Sequence, residues 1–276
     1  MKKEDGWGWT IEPNVLSDYS DVCLKISEDE NLFRRFKKIK EYRPVLEGGP
    51  KALFDTYLQH IKQLKNYNLF FENLEKFRIN DTVGDPDIYE DPTIGKFSGS
   101  TFKFAFNALE IIYFIESQGK DLKSIKNIVE VGGGYGGLCL ILSGFIDFDS
   151  YTLMDLPNVC KLTDKYIEQF PQLHGKVKTL PCTDLTDQSF DSIDLAIGVN
   201  SLSECNREVQ LSYFSKIISK SEFSYIVRNP DTQERWQDHL CTIESLDDSF
   251  SVDYSEKIER SYSNQTVVYI KKDGVK

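Results

Sequence analysis

The residues with most chemical potential lie in one stretch, NIVEVGGGYGG at Asn127–Gly137. Glu130 supplies a carboxylate just before a run in which Gly132, Gly133, Gly134, Gly136 and Gly137 fill five of six consecutive positions. Bare backbone of this kind adopts positive φ and lets a ligand approach the main chain closely. Gly132, Gly134 and Gly137 fit the G-x-G-x-x-G spacing. They follow an apolar, β-branched run and open an apolar helical segment, Leu138–Phe145, the context in which that spacing signals a nucleotide-like cofactor. No Lys or Arg lies between Lys126 and Lys161. A pyrophosphate favours helix N-termini and positive surroundings. An acidic, lysine-free turn instead suits a cofactor that is itself a cation, such as the sulfonium of S-adenosyl-L-methionine (SAM). A glycine turn without a ligand is disfavoured, because so much glycine weakens local structure with no return in packing.

Ligands of open α/β sheets sit beyond the carboxyl ends of the strands, and that rule nominates further residues. The first strand offers Glu130, Gly132, Gly134 and Tyr135. The second offers Asp155, 23 positions after Gly132, a separation at which an acid accepts hydrogen bonds from ribose hydroxyls. The third offers Cys182, Thr183 and Asp184, where a carboxylate would reach an adenine amino group. The fourth offers Asn200, Ser201 and Glu204. The fifth offers Arg228 and Asn229, suited to an acceptor's hydroxyls or phosphate. Each acid also has a plainer reading: Asp155 as charge at a helix start, Asp184 as a cap, Glu204 as a solvated side chain.

The elements that must position these residues alternate from Leu122 onward. Strands are expected at Asn127–Val131, Ser150–Met154, Lys176–Leu180, Asp194–Val199 and Ser224–Val227, with helices at Pro157–Phe170, Arg207–Ser219 and Asp231–Ile243. Phe250–Ile258 and Thr266–Lys271 read as a closing hairpin. The fold expected is α/β, a Rossmann-like, doubly wound, mostly parallel seven-stranded sheet with an antiparallel last strand. Residues 1–120 precede it as an N-terminal α-helical region, and 121–276 form the binding domain. Within the first part, residues 1–20 look irregular, and Trp7 and Trp9 would dock on the body. Helices are expected at Glu28–Arg43, at Lys51–Phe77 with an interruption near Asn66–Asn68, and at Phe102–Ser117 capped by Ser98–Thr101. Residues 78–100 read as a long loop of the kind that forms lids.

Composition narrows the function classes. The chain has 276 residues, 40% of them hydrophobic, a net charge of −11 and a pI near 4.9. Nucleic acid and anionic membranes need basic surfaces, so neither is the expected main partner. The six cysteines form no C-x-x-C pair and read as buried reduced thiols of a cytoplasmic protein. No metal-ligand spacing stands out. The longest apolar run, Phe104–Ile115, is too short to span a membrane, and the start, MKKEDGWGWT, has no apolar signal-peptide core.

EVGGGYGG, YTLMDLP at Tyr151–Pro157 and GVNSLSE at Gly198–Glu204 resemble class I SAM-dependent methyltransferases, and more narrowly the sugar O-methyltransferase family. DTVGDPDIYEDPTIGKFSGSTFKF, from Asp81, resembles the segment that precedes that family's catalytic domain, so the resemblance covers roughly residues 80–230. It implies that Glu130, Gly132 and Gly134 hold the methionine end of SAM, Asp155 the ribose, Thr183 and Asp184 the adenine, and that Asn200 and Ser201 line the methyl-bearing side. A sugar hydroxyl has a pKa far above 7, so a general base helps. Glu204 is the first candidate and His239 the second, while His60 and His174 read as packing or surface residues. The expected activity is methyl transfer to a hydroxyl of a small-molecule sugar acceptor, a nucleotide-sugar or glycan intermediate of polysaccharide biosynthesis, with a homodimer left open. The alternatives are a non-sugar O- or N-methyltransferase, an NAD-type oxidoreductase, and a SAM-binding subunit without catalysis.

Overall fold

Pro13 has its φ pre-set for a helix and no N–H to satisfy, and the first helix starts on it. The computed structural model describes residues 13–43, 51–228, 250–254, 258–260 and 263–272. It opens with α1 (Pro13–Glu28), α2 (Glu30–Phe33), a 3-10 turn at Phe36–Lys38, α3 (Lys51–Gln63), α4 (Tyr67–Glu72), α5 (Leu74–Arg78) and a 3-10 turn at Ile79–Thr82. The irregular start expected over 1–20 therefore gives way to a helix from Pro13. Its stripe, Tyr19, Cys23 and Ile26, is buried at i, i+4 and i+7. The helix expected over Glu28–Arg43 breaks at Asp29, whose carboxylate accepts from the N–H groups of Asn31 and Leu32, the capping role in which Asp is favoured.

Residues 78–100 are not an open loop. They hold an antiparallel hairpin, β1 (Ile88–Asp91) and β2 (Gly95–Ser98), and run straight into α6 (Gly99–Ser117). Ser98 caps α6 by accepting from the Thr101 N–H at 3.2 Å. The alternating part follows: β3 (Asn127–Val131), α7 (Gly137–Leu142), β4 (Ser150–Asp155), α8 (Pro157–Ile167), β5 (Val177–Pro181), β6 (Ile193–Val199), α9 (Arg207–Lys216), β7 (Ser221–Arg228), β8 (Phe250–Tyr254), β9 (Ile258–Arg260) and β10 (Ser263–Lys272). The helix expected over Asp231–Ile243 lies outside the described residues.

The main sheet has the order β5-β4-β3-β6-β7-β10-β8, with β9 paired to β10. The five strands from β5 to β7 are parallel, and β10 runs antiparallel to both its neighbours. The mostly parallel doubly wound sheet with an antiparallel last strand is thus as the sequence indicated. From β3 the chain grows first toward β4 and β5 and then, through β6, the other way. This reversal opens a crevice at the carboxyl ends of β3 and β6, where open α/β sheets bind ligands.

Alternate side chains along each strand feed two cores. One face packs Ile128, Leu195, Ile197, Phe223 and Tyr225 under α6, α7 and α8; the other packs Val129, Val131, Met154 and Ala196 under α9. The first core runs without a break from Tyr19 to Val267, so the apolar contacts cross the boundary expected near residue 120. Phe114 of α6 shows how: its ring meets Phe223 edge-on at 5.6 Å and Tyr269 at 4.8 Å. Each such buried ring contributes about 1.5–3 kcal/mol. Stripped of α6, the part of that face around Phe223 and Tyr269 would face water. A fragment of residues 121–276 alone is therefore expected to bind a hydrophobic dye and to lack near-ultraviolet circular dichroism; a cooperative unfolding transition equal to the full chain's would contradict this packing.

Candidate functional site

The glycine turn after β3 has positive φ at Gly132 (72°), Gly134 (54°) and Gly136 (92°). The first of these also permits the closest approach in the crevice. A Cβ on Gly132 would stand 2.2 Å from Cβ of Ser201, so β3 and the segment after β6 touch only because nothing protrudes there. Ser201 secures the contact by donating its hydroxyl to the Val131 carbonyl at 2.5 Å. Asn200, just before it, takes φ 56° and donates its N–H to the Val227 carbonyl, which turns the chain from β6 across the end of β7. Gly137 opens α7; a Cβ there would meet the Phe104 ring of α6 at 2.5 Å.

Asp155, the last residue of β4, faces the turn. Its carboxylate accepts from the Gly134 N–H at 2.9 Å and the Leu156 N–H at 2.7 Å. Burial pushes this carboxyl up to about 6, against the pull of the two backbone donors. Thr163 of α8 clamps the same glycine from the other side, donating to the Gly134 carbonyl at 2.6 Å. The turn is held by both its amide and its carbonyl before any ligand arrives.

The crevice is lined by Val131, Gly132, Met154, Asp155, Cys182, Ser201, Cys205 and Tyr213. Four of these, Gly132, Asp155, Cys182 and Ser201, are among the residues nominated from sequence. Val131, Met154, Cys205 and Tyr213 were missed. Met154 and Val131 are one strand position from a chosen residue and face the second core. Tyr213 has a sequence signal: with Val209 and Ile217 it makes an i, i+4, i+8 stripe on α9 that must face the sheet. The result is an apolar slot beside one buried acid.

The remaining chosen residues scatter around this slot. Thr183 and Asp184 sit exposed on the 3-10 turn after β5, with the threonine hydroxyl donating to the Asp184 carboxylate at 2.7 Å. Glu204 is half-buried on a 3-10 turn after β6, and its N–H donates to the Ser201 carbonyl. Burial above all, then Cys23 and the Asp155 carboxylate, with Glu204 a lesser contributor, pushes the Tyr19 hydroxyl well above the usual phenol range. The helix carrying Tyr19 lies along α8: Asn158 donates to the Ser20 hydroxyl at 3.1 Å and Lys165 to the Ser27 carbonyl at 3.1 Å. Equal steps of seven residues mean that α1 and α8 run in the same direction. Arg228 ends β7 opposite Thr266. Asn229 and His239 lie outside the described residues.

Glu130 and Tyr135 point away from the slot. Glu130 is buried on the α7 side of the sheet and accepts from the Tyr151 hydroxyl at 2.6 Å. Burial raises it to about 8, with Tyr151 working against and Asp155 adding to the shift. It braces the turn from beneath, close to where a Cβ on Gly133 would stand. The Tyr135 ring is buried among Phe36, Phe104 and Tyr166, so only its backbone faces the crevice. The reading of a lysine-free turn holds along the chain but not in space: Lys37, 2% exposed, has its ammonium 4.5 Å above the Tyr135 ring. A contact spanning 98 positions (135 − 37) leaves no mark on the local sequence. Among the described residues no cluster of three or more His, Cys, Asp or Glu side chains is arranged to hold a metal ion, and no helix is long and apolar enough to cross a membrane.

No family model matches the chain, and no curated protein matches it in sequence. Solved structures do. Magnesium protoporphyrin IX methyltransferase from Synechocystis PCC 6803, determined with bound SAM, is 14% identical over 78% of this chain and 97% of its own, with a TM-score of 0.48. An rRNA methylase from Streptococcus thermophilus is 14% identical over 60% of this chain and 95% of its own, with a TM-score of 0.46. What the crevice of this chain holds is decided by its own residues.

Because Glu130 is raised from 4.5 in the unfolded chain to about 8 in the fold, the folded protein keeps a proton that the unfolded chain releases across that interval. Stability conferred by the protonated group is complete below about pH 4.5 and is lost as pH rises toward 8. The melting temperature of the ligand-free protein should fall between pH 5 and 8.5, and Glu130→Gln, which cannot ionise, should flatten that decline; an unchanged slope in the variant would contradict the assignment.

Proposed function

We propose that the crevice binds S-adenosyl-L-methionine and that the protein transfers its methyl group to a hydroxyl oxygen, with a sugar as the acceptor. The carrying observation is the juxtaposition, at the switch point of the sheet, of a positive-φ glycine turn, the Asp155 carboxylate and the apolar slot of Met154, Cys182, Cys205 and Tyr213. The apolar slot is assigned to the adenine, Asp155 to the ribose hydroxyls, and the bare backbone of Gly132 and Gly134 to the methionine end. Thr183 and Asp184, next in the chain to Cys182 of the slot, are assigned to the adenine's exocyclic amino group. Two acids, Asp155 and Glu204, give the cleft the negative character that a sulfonium prefers.

When bound, the sulfonium supplies a methyl group already joined to a good leaving group. The chain's task is then to place the acceptor oxygen in line, about 3 Å from that carbon and opposite the sulfur. Glu204, on the turn after β6, is assigned the acceptor's proton, with His239 as the second candidate; Asn200 and Ser201 shape the methyl side. Arg228 and Asn229 after β7 are assigned to the acceptor's hydroxyls or phosphate, and residues 1–120 to the cover of the acceptor side. The sugar class rests on the resemblance of the segments at 81–104, 151–157 and 198–204.

Calorimetric titration of the full chain should show SAM binding and no NAD binding; the reverse would sink the reading. Asp155 ionises near 6 in the free protein, and a cation bearing ribose donors favours its ionised form. Affinity for SAM should therefore rise from pH 5 to pH 7 and then level off. Asp155→Asn should remove that rise and weaken binding about tenfold at pH 7. With labelled SAM and a panel of sugar acceptors, Glu204→Gln should slow transfer by about a hundredfold or more while donor affinity stays near wild type. Transfer at an amine acceptor, little slowed by that change, would move the assignment from oxygen to nitrogen.

A further inference from the structure

In the six residues Gly132–Gly137 only Tyr135 has a side chain. Glycine loses more backbone freedom on folding than any other residue, so the shape of this turn depends on what grips Tyr135. The grip is a polar cluster on the side away from the crevice, centred on Asn80, which has no exposed surface. The Asn80 side-chain oxygen accepts from the Tyr166 hydroxyl at 2.9 Å and from the Tyr135 hydroxyl at 3.3 Å. Its amide donates to the Thr101 hydroxyl at 2.8 Å. Thr101 in turn donates to Asp81 at 2.6 Å, and Asp81 also receives the Ser98 N–H at 2.9 Å and hydroxyl at 2.5 Å. Lys37 closes the cluster by donating to the Asn80 carbonyl at 2.6 Å while its ammonium covers the Tyr135 ring. Asn80 touches the turn at its far end as well, since a Cβ on Gly137 would stand 2.9 Å from the Asn80 side-chain oxygen.

We propose that Asn80 is a positioning residue for the donor site: through the hydroxyl of Tyr135 and the bare edge of Gly137 it fixes the Gly132–Gly136 backbone in the shape that receives an adenosyl nucleoside. The inference deepens the SAM reading above and rests on it. It makes the N-cap of α6, the turn at Ile79–Thr82 and the glycine turn one mechanical unit. The polar residues of the 79–101 segment then serve the donor, although they lie on the opposite side of the turn from it.

The test uses the full chain with Asn80→Ala, and Ile61→Val in the buried face of α3 as a control for general loss of stability. Donor affinity is measured by calorimetry with SAM, and the glycine amide resonances of the ligand-free proteins by nuclear magnetic resonance. Asn80→Ala should bind SAM about tenfold more weakly and shift the Gly134 and Gly136 amides, while Ile61→Val leaves both near wild type. Affinity within about twofold of wild type, or glycine amides that stay in place, would overturn the proposal. If Asn80→Ala does not fold, Tyr135→Phe removes only the hydroxyl and is judged by the same two readouts. If the wild-type chain binds no SAM, the donor reading falls and this proposal falls with it, whereas SAM binding by the wild type that Asn80→Ala leaves unchanged overturns the proposal alone.

Discussion

One constraint governs the crevice: β3 and the segment after β6 come together at Gly132 and Ser201, where a single added carbon would collide at 2.2 Å. Everything that makes the site usable follows from that closeness. Ser201 can tie itself to the Val131 carbonyl, Asn200 can turn over the end of β7, and the Gly134 amide is left to face Asp155. A residue with a side chain at Gly132 would push the two halves of the sheet apart where the chain reverses direction.

Around that contact the protein spends its polar groups on holding backbone in place. Asp155 and Thr163 bind the N–H and the C=O of one residue, Gly134, and so hold the two peptide units on either side of it. The Asp155 carboxylate holds the turn in the absence of ligand and is also the acid nearest the slot. Its two backbone partners partly offset the cost of burying a carboxylate, which otherwise favours the neutral acid. Glu130 shows the contrasting case. With one tyrosine hydroxyl as its described donor, it keeps its proton to a much higher pH than Asp155 does.

The alternating half of the fold was legible because a buried parallel strand has few alternatives: NIVEV, SYTLM and DLAIGV are mostly apolar runs with turn signals after them. The crevice was legible as far as the carboxyl-end rule reaches, which is why Gly132, Asp155, Cys182 and Ser201 line it. Glu130 and Tyr135 were placed at the correct strand end, but a strand sends alternate side chains to opposite faces. Nothing local indicates which face carries the ligand. Cys205 and Tyr213 enter the slot from a turn and a helix whose rotation is set by packing. The N-terminal part was least legible. Asp29 reads equally well as a helix interior charge or as a cap, and the partnership of Lys37 with Tyr135 is purely tertiary.

The place of β10 between β7 and β8 has a consequence for biosynthesis. A strand made early, β8, cannot join the sheet by pairing with β7, because the strand that separates them is translated later. Until residues 263–272 have emerged, β7 is an edge with unsatisfied N–H and C=O groups, open to any passing extended chain. The order of synthesis and the order of strands disagree at this margin. The nascent protein therefore spends an interval exposed there that an arrangement of strands in simple succession would have avoided.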